Sequence, residues 1–300
     1  MVHSIHDLHV ENARCGRPSI SIEFFPPKTH EGDRTLFDKT LPALKEGAFD
    51  YCSVTYGAGG STREKTLAIV DRIQREFGLT TMMHLTCVNA TQEELRSVIE
   101  EARRRGVRNI LALRGDPPGG TGDWVATEGG FRYSSELVKY LHELGGFTVG
   151  TAGFPEGHNA QSGGKHIDWG HLRDKIAAGA DFVVTQLFFD NADYFAFREH
   201  LTQKLGVTVP LIPGILPVLS RNQTKKFTQM CGARLPAPFL QRLEELGDDD
   251  EAVTQYGIEY ATRQCDELLR EGAPGIHFYT LNRARSAVQV VRNLGLARDP

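Results

Sequence analysis

Glu23 lies in the run Ser19-Ile20-Ser21-Ile22-Glu23-Phe24-Phe25-Pro26-Pro27, a single acid in a largely apolar stretch. A strand that is apolar at nearly every position is buried on both faces. A carboxyl group placed there loses hydration, its ionised form is disfavoured, and it becomes able to donate a proton at neutral pH. From this stretch alone, a structural glutamate matched by a buried cation or a backbone donor reads the same way. Other polar groups stand at the ends of apolar runs: Thr55 and Tyr56, His84, Arg114-Gly115-Asp116, Phe154 to His158, Gln186, and Tyr279-Thr280-Leu281-Asn282-Arg283. Singly, each has a plain structural role, such as a core histidine for His84 or a surface ion pair for Arg114 and Asp116. Together they suggest one binding site built from many short elements.

Eight apolar runs must position these groups: Ile20 to Phe25, Tyr51 to Thr55, Thr81 to Leu85, Asn109 to Leu113, Thr148 to Gly153, Phe182 to Leu187, Leu211 to Ile215 and Gly275 to Tyr279. Segments of helical spacing alternate with them. Thr91-Gln92-Glu93-Glu94 is a capping box that opens a helix to Arg105; Ser134 or Ser135 is expected to cap the next one. Asp248-Asp249-Asp250 places negative charge at the start of a long helix reaching Arg270. Eight β units alternating with helices, without a linker or a second compositional regime, predict an α/β fold: a single (βα)8 TIM barrel over residues 19–300, preceded by an extension over 1–18. In such a barrel the reactive side chains gather at the carboxyl ends of the strands, where the polar residues named above fall. No Gly-x-Gly-x-x-Gly fingerprint follows an early strand and no P-loop lysine motif is present; Gly57-Ala58-Gly59-Gly60 is a weak phosphate-loop signal.

With 300 residues, 40% hydrophobic, 34 basic against 38 acidic side chains and a net charge of -4, the composition offers no electrostatic case for nucleic acid or an anionic membrane. No stretch reaches the roughly 20 apolar residues of a membrane span, and the N-terminus lacks a signal-peptide layout, so a cytoplasmic protein is expected. The five cysteines, Cys15, Cys52, Cys87, Cys231 and Cys265, form no Cys-x-x-Cys pair and read as reduced thiols, with Cys52 and Cys87 as core fillers. His84, His158 and His171 fall on different units with no local His-x-x-x-His pair, so no metal is expected.

The motifs, in order, are Glu23-Phe24-Phe25-Pro26-Pro27, Thr55-Tyr56-Gly57-Ala58, His84-Leu85-Thr86-Cys87, Leu113-Arg114-Gly115-Asp116, Thr185-Gln186-Leu187-Phe188-Phe189-Asp190, Pro213-Gly214-Ile215-Leu216-Pro217 and His277-Phe278-Tyr279-Thr280-Leu281-Asn282-Arg283. With these seven, from about Ser19 to Leu294, the chain resembles the short, single-domain bacterial methylenetetrahydrofolate reductases. The resemblance implies an FAD enzyme that takes hydride from NADH or NADPH and passes it to 5,10-methylenetetrahydrofolate by a ping-pong mechanism, yielding 5-methyltetrahydrofolate for methionine synthesis. It also implies a homo-oligomer. Carried over by motif, Glu23 is the general acid that opens the folate bridge, and Asp116 lies by flavin and folate as a second catalytic residue. The FAD-binding set is Thr55, Tyr56, Ala58, His84, Arg114, Gly115, Asp116, Tyr133, Ser134, Phe154, His158, Asp168, His171 and Lys175. Glu23, Gln186, Gln223, Phe227 and Arg283 are the implied substrate-binding residues, with Phe227 equally suited to the apolar face of its helix.

The chain departs from the family pattern after His158, where Asn159-Ala160-Gln161-Ser162-Gly163-Gly164 follows, and Asp174 stands where a basic residue can meet phosphates. Phosphate binding then leans on Lys175. Two other readings stay open at this stage: an aldolase- or isomerase-type barrel, for which neither a strand lysine nor a glycine-rich loop after the seventh and eighth strands is visible, and a non-catalytic barrel that binds folate or a partner.

Overall fold

The computed structural model describes residues 3–56, 63–116 and 126–297. Its elements run α1 (Ile5–Arg14), β1 (Ser19–Phe24), α2 (His30–Thr35), α3 (Leu41–Ala43), β2 (Tyr51–Val54), α4 (Arg63–Phe77), β3 (Thr80–Thr86), α5 (Gln92–Arg104), β4 (Asn109–Leu113) and α6 (Ser134–Leu144). They continue with β5 (Thr148–Gly153), α7 (Lys165–Ala177), β6 (Phe182–Leu187), α8 (Asn191–Glu199), β7 (Leu211–Ile215), α9 (Arg221–Cys231), α10 (Ala237–Leu246), α11 (Asp250–Arg270), β8 (Gly275–Tyr279) and α12 (Arg285–Asn293). The strands close in sequence order into one parallel barrel, β1 pairing with both β2 and β8, so the fold is the predicted (βα)8 barrel. Strand bounds differ from the sequence reading by a residue at some ends: β1 stops at Phe24, β2 at Val54, and β3 runs from Thr80 to Thr86.

Alternation along the strands sorts the core into layers. On β1, Ile20, Ile22 and Phe24 belong to the large cluster shared with the helices, such as Leu67 and Val70 of α4 and Val290 of α12. The opposite set, Ser21 and Glu23, is polar and equally buried. Tyr51, Met82, Leu111, Phe182 and Val184 form a separate apolar cluster in the lower barrel, joined by Ile5 of α1. Gly150 belongs to this region because a Cβ there would come within 2.7 Å of the Phe182 ring. A third cluster, Leu187, Phe189, Leu216, Val218, Phe239, Leu243 and Val253, seats α10 and α11 against the ends of β6 and β7.

The segment before β1 is a helix that seals the barrel floor. Ser4 caps α1 and its hydroxyl lies 2.8 Å from that of Thr148. Asn109 of β4 accepts from Ile5 N at 2.8 Å and donates to His3 O at 3.0 Å and Thr81 O at 3.1 Å, so its whole amide is spent on this joint. Further along the chain, the capping box at Thr91 forms as its sequence predicts. The expected serine cap of α6 does not: Tyr133 is the N-cap, Ser134 is the first helical residue, and the Glu136 carboxylate accepts from the backbone N–H groups of Arg132 and Tyr133 at 2.6 and 2.8 Å. A carboxylate reaching back from the third helical position serves both orphan donors and makes a serine cap unnecessary. Among the described residues no helix is long and apolar enough to cross a membrane. Cys52, Cys87 and Cys265 are buried free thiols, each pushed up by burial, Cys87 to about 11.

His9 of α1 packs beneath the barrel against the rings of Tyr51 and Phe182, with centroids 5.9 and 5.7 Å away, and among the described residues neither ring nitrogen has a hydrogen-bond partner. Burial pushes its imidazole down to about 4. The unfolded chain therefore takes up a proton near pH 6.5 that the native protein refuses until about pH 4, and stability falls as pH drops through that window. His9→Leu should remove a pH-dependent loss on the order of 2 kcal/mol at pH 5. Urea midpoints at pH 7 and pH 5 check this, and an unchanged pH slope in the variant would refute it.

Candidate active site

Glu23 is 5% exposed and ends the inward-facing row of β1, level with Ser53 of β2 and Tyr279 of β8. Its Oε2 lies 3.4 Å from His84 Nε2 and 4.0 Å from His277 Nε2. Among the described residues these two imidazoles are the basic groups within 4.0 Å of the carboxyl. Burial pushes His84 down to about 4 against the opposing pull of Glu23, so its ring is neutral at pH 7. The other nitrogen of His277, Nδ1, is 2.8 Å from Ser21 Oγ, two residues before Glu23 on the same face of β1. That bond fixes the ring with its Nε2 turned towards the Glu23 carboxyl. Tyr279 packs edge-on against His277 at 5.3 Å and donates from its hydroxyl to Thr185 O at 2.6 Å. Burial first, and then the charge of Glu23, raises that phenol well above its ordinary value.

A second polar group gathers from β4, β5 and α7. Gly115 makes the turn between Arg114 and Asp116 with φ +86°, and a Cβ there would meet Val88 Cγ1 at 2.5 Å, so both conformation and space require glycine. His158 stands edge-on to Phe154 at 4.6 Å, and Phe154 O accepts from Trp169 Nε1 at 2.9 Å. Burial lowers the His158 imidazole, Arg114 and Lys175 add to that, and Asp168 and Asp116 oppose it. Asp168 is raised by burial while Lys175, His158 and His171 pull it back. Lys175 donates to Ala152 O at 2.7 Å, and burial brings its amine down to about 8 against Asp168. Six residues implied by the resemblance, Arg114, Asp116, His158, Asp168, His171 and Lys175, thus feel one another's charge. The two groups share a rim: the Cys231 thiol, at the end of α9, is raised by burial and by the charges of both Glu23 and Asp116.

The remaining expected site residues lie around this rim in several states. Thr55 continues the β1–β2 pairing from just past the strand, its N–H on Phe24 O at 2.8 Å, and accepts from Thr66 at its carbonyl. Tyr56 is buried, and burial pushes its phenol up to about 12, opposed by Arg63. Tyr133 is 49% exposed at the start of α6, beside Ser134. Gln186 sits at a β6 irregularity, half-buried, with its Oε1 on Leu187 N at 2.9 Å. Gln223 and Phe227, one turn apart, line a cleft with Leu216 to Leu219 and Leu281. The fully buried positions of α9 are Thr224 and Thr228, and Phe227 beside them is half-buried. Arg283 is exposed on the loop after β8. Ala58, with its glycine-rich loop, lies outside the described residues.

Four residues at this end carried no assignment from sequence. Ser21 and His277 become partners only when β1 meets β8, although their two-residue offsets from Glu23 and Tyr279 place each on the inward face. Asn282 pairs with the backbone of Phe25. Arg234, between α9 and α10, bridges Glu156, Asp190 and Asp193 and so ties α9 to the loops after β5 and β6. At the other end of α9, Arg221 pairs with Glu244 and Asp248.

Comparison with known proteins follows the same lines. The family model described as methylenetetrahydrofolate reductase matches residues 9–295. A Zea mays protein named methylenetetrahydrofolate reductase (NADH) 1 is 38% identical, over 97% of this chain and 50% of its own length. The 5,10-methylenetetrahydrofolate reductase of Escherichia coli K12 is also 38% identical, over 94% of this chain and 92% of its own. This chain spans about half the length of its plant and fission-yeast relatives. Among solved structures, an uncharacterized Clostridium thermocellum protein that binds two copies of 5-methyl-5,6,7,8-tetrahydrofolic acid aligns with TM-score 0.62 at 14% identity, over 95% of this chain and 97% of that one, a likeness of fold. By the near-complete family match and the E. coli relative, the chain belongs to the methylenetetrahydrofolate reductase family.

Proposed function

We propose that this chain reduces 5,10-methylenetetrahydrofolate to 5-methyltetrahydrofolate, with NAD(P)H as hydride donor and FAD as carrier. The observation that supports it most is Glu23, buried at the carboxyl mouth of a barrel of this family and flanked by a neutral imidazole and a serine-tied one. In this reading residues 19–300 are the catalytic barrel and residues 1–18 its extension, whose helix α1 closes the floor. FAD, which Arg114, His158 and Lys175 would help to hold, would supply the hydride transfer between nucleotide and folate.

The donor set at the rim fits such a group. Ala152 O takes one of the three hydrogens that a lysine ammonium offers, so Lys175 has hydrogens left for a diphosphate, and Arg114 and His158 stand in the same cluster. The carboxyl of Glu23 donates its proton to the departing folate nitrogen, which opens the one-carbon bridge to an electrophilic iminium. His84, neutral at pH 7, neither neutralises that carboxyl permanently nor competes with it as a cation. His277, steadied by Ser21, stands on the other side of that carboxyl. Asp116 places a negative charge at the same rim, where it favours the developing iminium. Gln186, Gln223, Phe227 and Arg283 complete the substrate side, with nucleotide and folate using one place in turn. The plant relatives are named for NADH, which makes NADH the nucleotide to try first.

Anaerobic stopped-flow spectroscopy tests the scheme. The purified protein should be yellow, bleach with NADH or NADPH and regain its colour with methylenetetrahydrofolate; a colourless protein that binds no FAD refutes it. Glu23→Gln should leave bleaching by the nucleotide intact and slow recovery by about a hundredfold or more, the scale of general acid catalysis. Equal loss in both halves would remove Glu23 from this role. Asp116→Asn should slow recovery and make the flavin easier to reduce, read as a raised midpoint potential. For Lys175 the sign follows from its amine at about 8: FAD affinity should weaken as pH rises through that value, as the cation is lost. Fluorescence titrations across pH 7 to 9 should show that trend flattened in Lys175→Met; an identical trend in the variant would assign it elsewhere.

A further inference from the structure

The pairing of β1 with β8 ends at Glu23 and Tyr279. Beyond it the backbone turns through Leu281 and Asn282, both left-handed, with φ of 51° and 64°. Non-glycine residues hold that conformation where surrounding contacts over-determine it, and two in succession demand a strong anchor. The anchor is the Asn282 amide. Its Oδ1 accepts from Phe25 N and its Nδ2 donates to Phe25 O, both at 2.8 Å. This is the donor and acceptor pattern of a neighbouring strand, delivered by a side chain after the β8 backbone has turned away. Thr280 Oγ1 donates to Glu23 O at 3.1 Å, so with Asn282 the same loop grips β1 on both sides of Phe24, and Thr40 Oγ1 steadies the loop by donating to Asn282 O at 3.3 Å.

We propose that Asn282 is a positioning residue for the proton donor: its amide supplies the missing rung between β1 and β8, holding Glu23 and the adjoining Arg283 in fixed register across the mouth. The inference rests on the reading of Glu23 as the acid. Phe25 is 37% exposed, and without the rung its peptide groups would face water and the strand end would fray towards Glu23. Residue type is restricted as well. Asparagine tolerates positive φ and carries both a donor and an acceptor at short reach; aspartate lacks the donor and glycine lacks both.

Two variants separate the rung from backbone strain. Asn282→Gly relieves the positive φ while deleting the rung; Asn282→Asp keeps the acceptor for Phe25 N but sets a carboxylate against Phe25 O. Hydrogen exchange of peptides spanning Phe25, read by mass spectrometry, should accelerate about tenfold or more in both. In the anaerobic half-reactions, bleaching by NADH should be unchanged and the maximal rate of recovery with methylenetetrahydrofolate should fall about tenfold to a hundredfold, the scale of a displaced catalytic group. That fall should exceed any rise in the folate KM. Unchanged exchange, or faster exchange with both half-reactions intact, overturns the proposal, and so does equal loss of both half-reactions, which would mark a purely structural role. If the unmodified protein itself fails to pass electrons to the folate, the reductase reading falls and takes this role with it; if it succeeds and the variants match it, only the role of Asn282 falls.

Discussion

The neighbours of a carboxyl group cut off from water decide what it can do, and among the described residues the basic groups within 4.0 Å of Glu23 are two imidazoles, with no lysine or arginine. A permanent cation that close to a buried carboxyl group favours the carboxylate form. Histidine makes a different neighbour, because its own charge yields to burial. His84 does so, pushed down to about 4 in a site where a second imidazole stands nearby. The site therefore depends on the barrel being closed and dry beneath it.

That dryness is built from below. Tyr51, Met82, Leu111, Phe182 and Val184 fill the lower barrel, and α1 seals it with Ile5 and His9. One layer up, the inward positions turn polar, with Ser21, Glu23, His84 and His277, so the boundary between apolar floor and reactive mouth falls within single strands. Strand alternation makes this possible: the outward side chains of β1 serve the helices and leave the inward ones available for chemistry.

The rim is organised by charge where it is not organised by the sheet. Helix α9, which carries Gln223 and Phe227, has threonines as its buried residues and is held at its ends by ion pairs through Arg221 and Arg234. These pairs are substantially exposed, and exposed pairs are individually weak. A helix held in this manner can shift without disturbing the core.

The order of strands, the helices between them and the family motifs were legible in the linear chain because hydrophobic period, capping chemistry and short motifs are local properties. Glu23, Arg114, Asp116 and His158 stand at or just past strand ends, whereas Asp168, His171 and Lys175, inside α7, were named only by what the family resemblance implies. The cap of α6 was misplaced because a glutamate three residues into the helix took the role assigned to a serine. What the chain could not disclose were partnerships across its full length: Ser21 with His277, Asn282 with Phe25, and Arg234 with Glu156, Asp190 and Asp193. The sequence by itself determined the alternation of strands and helices, and with it the barrel, and which residue types sit at each strand end. Only the tertiary structure decided which of them touch, because closing the barrel brings β1 against β8 across more than 250 residues, and nothing in local spacing encodes a register between strands so far apart.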